Sequence, residues 1–217
     1  MTSRSSVFGR RRAVAAVAVA ASLLLTTACS NGGSSPGAPP ATESPSALVT
    51  STPTVTPTPT PSYKPADASG KAQNVPVPVL PEAAKVETKD GLEAFARYWF
   101  SQLNFAYETG RLGGLNSVTA PDCEFCTNVT RALATNYEGD RWLAGGRIET
   151  PSISTTYTAQ ADGDYQVIVQ VQQASITYYR PGGTEFRTST PPSDTGNVML
   201  AAFKDGQWHL SGLHPIR

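Results

Sequence analysis

The chain has 217 residues, with 17 Lys and Arg against 17 Asp and Glu, so its formal net charge is zero. That balance hides an asymmetry: residues 1–28 hold four arginines and no acid, which leaves 13 basic and 17 acidic residues, a charge of −4, for the rest. Such a remainder has no basic face to neutralise phosphates, which excludes nucleic acid as a partner, and charge alone would not hold it on an anionic membrane.

The first element is a leader. Arg10-Arg11-Arg12 is followed by an apolar run from residue 13 to 25 and then by Thr26-Thr27-Ala28-Cys29. The run is too short for a permanent span, which needs roughly 20 residues, and its flanks match the h-region of a signal peptide. A cysteine after a small residue at this point is the acceptor of a thioether-linked diacylglycerol. Cleavage would make Cys29 the first residue of the mature chain, anchored on the extracytoplasmic face of the membrane. Two acyl chains suffice for stable attachment. The arginine run also fits a twin-arginine export signal loosely, although the plain positive charge of a leader accounts for it.

Residues 29–84 read as a linker. Nine of the chain's 18 prolines fall between residues 30 and 70, mixed with Ser, Thr, Ala and Gly. The Thr-Pro alternation over 50–61 favours polyproline II over a packed core. The expectation is a disordered stalk that, at about 3.1 Å per residue, reaches roughly 120 Å from the membrane. Tracts of this composition also carry O-linked sugars in secreted proteins.

Residues 85–217 are expected to form one α+β domain. Asp90-Gly91-Leu92-Glu93 has the form of a helix start, and Leu92, Phe95, Ala96, Trp99, Leu103 and Ala106 then fall on one helical face, with Gly110 as the C-cap. A second helix is expected from Pro121-Asp122 to about Tyr137, with a short helical turn around Arg141-Trp142-Leu143. The period then changes to two. Residues 147–158 read as a strand broken at Pro151. Residues 164–179 read as one long strand whose apolar parity switches near Gln172-Gln173, the mark of a bulge. Residues 197–204 and 207–213 form a hairpin across Asp205-Gly206. The expected core comprises Phe95, Trp99, Leu103, Val167, Val169 and Leu200, wrapped by a curved antiparallel sheet.

Among the chain's three cysteines, lipid on Cys29 would leave Cys123 and Cys126 as an even pair, expected as a disulfide in an oxidising compartment. Two other readings of Cys123-x-x-Cys126 stand beside it: a redox centre at a helix N-terminus, and a zinc site completed by His209 and His214. Candidate acid–base groups are Asp122, Glu124 and His209. Asn128-Val129-Thr130 matches a glycosylation sequon.

The cysteine-terminated leader, the Thr/Pro tract, Ala94-Phe95-Ala96-Arg97-Tyr98-Trp99-Phe100 on a first helix and Cys123-Glu124-Phe125-Cys126 on a second together resemble an actinobacterial lipoprotein family, the domain of unknown function 6318. The resemblance covers residues 85–217. The order of elements is also similar to the NTF2-like superfamily, which implies a cone with N-terminal helices held in a bent sheet and a pocket between them. Tyr98, Trp99, Trp142 and Trp208 are the aromatics that would line that pocket or fill its core. Fold alone does not give function. The expected function is a non-catalytic module displayed at the cell surface, binding a small apolar ligand, a wall component or another envelope protein, with no cofactor and no metal. The alternative is an enzyme with its active site in the cone. A deep pocket holding a buried polar group would favour the enzyme, and a filled cone the binding module.

Overall fold

Thr88 starts the longest helix, α1 (Lys89–Thr109), in a computed structural model that describes residues 61–216. The leader, Cys29 and the Thr-Pro tract up to residue 60 lie outside the described residues. The Thr88 backbone is extended and its Oγ1 accepts a hydrogen bond from the Gly91 amide at 3.0 Å. The cap therefore sits two residues before the expected Asp90. Gly91 follows because the chain doubles back tightly there: a Cβ would lie 2.1 Å from the Val86 carbonyl oxygen. At the other end Gly110 adopts φ +71° as the left-handed C-cap, a conformation that costs a side-chain-bearing residue more than glycine. The expected apolar stripe of α1 is buried throughout, and Phe100, Gln102 and Phe105 bury a second side of the helix.

A single turn, α2 (Gly113–Asn116), leads to α3 (Glu124–Tyr137). Pro121 and Asp122 precede α3 rather than opening it, and Cys123 is its N-cap. The segment expected as a helical turn around Trp142 is instead the strand β1 (Trp142–Gly145). Gly139 and Asp140 both adopt positive φ and end the helical path, after which β1 pairs antiparallel with a later strand, Trp142 opposite Tyr179.

The remaining strands are β2 (Ile148–Glu149), β3 (Ile153–Ser154), β4 (Tyr165–Gln173), β5 (Ile176–Arg180), β6 (Thr184–Thr190), β7 (Ser193–Lys204) and β8 (Gln207–Pro215). They form two antiparallel sheets. One has the order β1-β5-β6; the other has the order β2-β4-β7-β8, with β3 also pairing with β4. The break between β2 and β3 falls at Pro151, as expected. The long strand over 164–179 is two strands, and its parity switch marks a passage between sheets rather than a bulge. At the crossing the Ala174 amide donates to the Arg147 carbonyl at 2.9 Å and the Gly146 amide to the Ser175 carbonyl at 2.8 Å. A bulge lies instead between Leu200 and Ala201, where β7 pairs with β8. The β7–β8 turn uses Asp205 and Gly206, both at positive φ, which suits the twist of a two-residue hairpin loop.

Helix α1 contacts both sheets. Phe95 and Trp99 from α1, Val167 and Val169 from β4, Met199 from β7 and Trp208 from β8 form the centre of the core. Phe95 stacks against Trp208 with ring centroids 6.4 Å apart. Leu200, expected in this core, lies on the outer face of β7 beside Gly212, and its neighbour Met199 takes the inner position.

The domain also begins earlier than residue 85. Residues 62–74 form a small hairpin through bridges Lys64–Gln73 and Asp67–Gly70, held by the Asn74 amide donating to the Ser62 carbonyl at 2.8 Å. Tyr63 Oη donates to Glu108 at 2.9 Å, and Trp142 Nε1 donates to the Asp67 carbonyl at 2.9 Å. The segment then runs along α1, where Gln102 Nε2 reaches the Pro78 carbonyl at 3.4 Å. It ends in a 3-10 turn over Glu82–Lys85 whose Ala84 is buried. The proline content of residues 61–84 is that of a linker, yet they form a strap across the domain.

Candidate functional site

Of the four aromatics expected to line the pocket or fill its core, the three tryptophans are buried. Trp99 is 0% exposed, Trp208 1% and Trp142 5%. Each indole N–H has a fixed partner, as buried tryptophans generally require: Trp99 donates to Thr119 Oγ1 at 2.9 Å, Trp208 to the Val86 carbonyl at 3.1 Å and Trp142 to the Asp67 carbonyl of the strap. Tyr98 is half-buried and its hydroxyl accepts from Gln102 Nε2 at 2.7 Å. The buried polar side chains Gln102, Thr155 and Asn197 are all hydrogen-bonded, and among the described residues no buried side-chain nitrogen or oxygen lacks a partner.

Cys123 and Cys126 form a disulfide with Cα atoms 5.3 Å apart. Both are buried, at 1% and 3% exposure, and the Cys126 amide donates to Cys123 Sγ at 3.3 Å. The bond fastens the first turn of α3 to the loop that precedes it. A buried disulfide is shielded from thiolate attack, so the arrangement differs from the exposed pair a redox centre needs. Among the described residues no three His, Cys, Asp or Glu side chains gather to hold a metal ion.

The same loop forms one wall of a cleft with chemically varied side chains. Residues 118–120 lie along the outer edge of β8: the Ala120 amide donates to the Leu210 carbonyl at 2.7 Å and the Leu210 amide to the Val118 carbonyl at 3.0 Å. Thr119 fixes the middle of the loop by accepting from Trp99 and donating to the Leu115 carbonyl at 2.7 Å. Between this loop and the outer face of the β7–β8 hairpin lies a cleft of about 530 Å³ lined by Ser117, Pro121, Asp122, Lys204, His209 and Ser211, among others. Ser211 sits at the bulged end of β8 and donates to Asp164 at 2.5 Å. The fold thus brings Asp122 and His209 to one cleft, while the third acid–base candidate, Glu124, is exposed on α3. His214 points from β8 over Gly212, with Nε2 2.9 Å from the position a Cβ there would take. Lys204 and Asp205 are legible in the sequence only as turn residues. Their place in the cleft depends on the pairing of the loop with β8, which no local pattern announces.

The class defined by these elements is an α+β domain in which a few helices pack on antiparallel sheets. The chain belongs to DUF6318, a family of unknown function, whose sequence model matches residues 61–214. No curated protein matches it. Among solved structures it is similar to the intermembrane space region of the chloroplast protein ARC6, at 13% identity and a TM-score of 0.42 over 59% of this chain and 96% of that one. It is also similar to Aln2 from a Streptomyces species, at 12% identity and a TM-score of 0.38 over 58% and 90%. A third is an uncharacterized protein with a cystatin-like fold from Caulobacter vibrioides, at 16% identity and a TM-score of 0.35 over 56% and 87%. None of these likenesses bears on what the chain does. No helix among the described residues is long and apolar enough to cross a membrane.

Proposed function

We infer that this chain is an actinobacterial envelope lipoprotein, held to the extracytoplasmic face of the membrane by lipid on Cys29, that presents a non-catalytic binding module at the end of a Thr/Pro-rich segment. The module is an NTF2-like cone whose interior is filled. The observation that carries this reading is the packing of α1 against the larger sheet. Phe95, Trp99, Met199 and Trp208 are each no more than 1% exposed, so these side chains pack against one another where the cone of an NTF2-like enzyme would hold its ligand. Recognition then falls to the surface, where the His209 cleft offers acidic, basic and hydroxyl side chains. The partner is a wall component or another envelope protein. The enzyme alternative has Asp122 and His209 on one cleft in its favour, but that cleft is open, and active sites gain their electrostatic strength from excluding water.

The test is fractionation and retention of the full-length protein in its native envelope. Wild type should partition with membranes and carry the mass of a diacylglycerol-modified Cys29, and Cys29→Ala should lose both. With the anchor removed, binding to purified walls or cross-linking to an envelope protein should depend on the cleft and fall with Asp122→Asn/His209→Ala. Membrane association and mature mass unchanged by Cys29→Ala would overturn the anchor. Equal retention of the cleft variant would overturn the binding surface.

A further inference from the structure

We propose that the cleft between the 117–122 loop and the β7–β8 hairpin binds the end of a short zwitterionic peptide, one with a free ammonium, a free carboxylate and methyl-sized side chains. This names the ligand class for the cleft on which the proposed function rests.

The first observation is unused charge. Asp122, Lys204, Asp205 and His209 all line the cleft. Among the described residues none of these four side chains makes a hydrogen bond or an ion pair. The ion pairs of the domain lie elsewhere, at Lys64–Asp67, Lys71–Asp140, Lys85–Glu82, Arg141–Glu138 and Arg147–Glu149. Groups of both signs thus face one cavity without satisfying each other. A ligand that carries both signs would satisfy them together, which is the ordinary logic of electrostatic complementarity.

The second observation is the floor. Its lining includes Ala120, Pro121 and Ala202, small apolar groups against which a methyl can pack. The lining holds no Trp, Tyr or Phe, so a sugar ring would find no face to stack on. A phosphate or other plain anion would meet the carboxylates of Asp122 and Asp205, and a plain cation would meet Lys204. The third observation is rigidity. The loop wall is tied to β8 at Leu210, to α1 through Thr119 and to α3 through the Cys123–Cys126 disulfide, so little ordering is needed on binding, and that saving favours affinity.

Peptides of this chemistry come from two sources, uncross-linked wall peptides built with D-alanine and ordinary proteolysis products built with L-residues. The experiment is titration of the ¹⁵N-labelled full-length protein in detergent with D-Ala-D-Ala, L-Ala-L-Ala, N-acetyl-L-Ala-L-Ala-amide and chitobiose, read by amide shifts. The expected result is saturable shifts at Ala120, Asp122, Ala202 and His209 with a free dipeptide, at a Kd on the order of 1 mM, and none with the capped peptide. A preference for the D-form assigns the ligand to the wall, and a preference for the L-form or none assigns it to released peptides. Lys204→Gln, and separately Asp122→Asn/Asp205→Asn, should each weaken binding about tenfold, with the rest of the spectrum showing the fold intact. Equal binding of the capped peptide overturns the proposal. Shifts with chitobiose alone overturn the ligand class but leave the cleft as the binding surface. No shift with any free dipeptide at about 20 mM, well above that Kd, overturns the proposal, while wall retention of the cleft variant tests the binding reading independently.

Discussion

The ring of Tyr137, at the end of α3, fills the space in which a side chain on Gly110 would begin. A Cβ on Gly110 would lie 2.6 Å from Tyr137 Cγ and Cδ1, and the Tyr137 hydroxyl donates to the Tyr107 carbonyl, in the last turn of α1, at 2.6 Å. The C-terminal ends of two helices are thereby locked through one glycine and one phenol.

Gly110→Ala should be strongly destabilising, by about 3 kcal/mol, because it combines a positive φ with a backbone-proximal clash. Gly139→Ala is the control. Gly139 has φ +63° but nothing within 4 Å of the added Cβ, so it should cost only the conformational part, about 1 kcal/mol. Urea midpoints of the two variants measure the difference. Equal losses would show that the Tyr137 contact yields freely.

Burial holds the Tyr137 phenol far above its usual range, with the nearby Glu108 carboxylate adding to the rise and a backbone hydrogen bond at Leu143 opposing it. In the unfolded chain the same group ionises near pH 10. The folded state keeps the proton where the unfolded state releases it, so the contribution of this group is complete below about pH 10 and declines as pH rises beyond it. Tyr137→Phe should lower stability at neutral pH by about 1 kcal/mol for the lost hydrogen bond and flatten the alkaline decline. A parallel decline in both proteins above pH 10 would show that Tyr137 is not the group responsible.

The Cys123–Cys126 bridge closes a very short loop, for which chain entropy gives about 2 kcal/mol. Cys123→Ser/Cys126→Ser should lower stability by that amount or slightly less, since a serine at position 123 can still cap α3 through its hydroxyl. Because both sulfurs are buried, reductant added to the native protein should leave the bond intact until denaturant is present. Rapid reduction under native conditions would point to an accessible bridge and reopen the redox reading.

A fragment starting at residue 61 should match the full chain in stability, and one starting at residue 85 should not. The shorter fragment lacks the strap, which covers Trp142, packs Leu80 against the core and contributes the buried Ala84. Its loss should cost several kcal/mol, on the order of 3. Thermal melts of the two fragments decide the point. Gly183→Ala is a milder probe, since a Cβ there would come within 2.4 Å of the Ala68 carbonyl oxygen and push the strap away without deleting it.

Local signals read well in this chain wherever a single element decides its own structure. The α1 stripe, the break at Pro151 and the Asp205-Gly206 turn follow from helical period, a missing amide and positive φ. The misreadings share another cause, which is pairing between distant segments. Trp142 is a strand residue because Tyr179 lies opposite it. The parity switch before Ile176 carries the right information, but an inversion of faces reads the same whether a strand bulges or leaves one sheet for another. Strand β6 has seven residues of which five are exposed, so no alternation announces it, and the first residues of β7 are equally silent. The strap is hidden by its prolines, whose composition says extended but not whether the extended chain is docked. For the site, Asp122 and His209 can be named as reactive residues, but only the contact of the 118–120 loop with β8 puts them on the same cleft.

The strap also imposes an order on folding. Its carbonyl at Asp67 waits for an indole 75 residues later, and its Ala68 rests on a glycine in the β5–β6 turn, later still. Contacts this distant form slowly, because loop closure must precede any gain from them. During synthesis, the first part of the domain to emerge is therefore the last to find its seat. Helix α1 can form at once, but its uncovered side stays open until the three-stranded sheet exists. In that interval Trp142, Tyr179 and the second buried side of α1 form a sticky surface. Its length is set by the arrival of the chain through Gly183, so variants that delay the β5–β6 turn should aggregate before they fail to function.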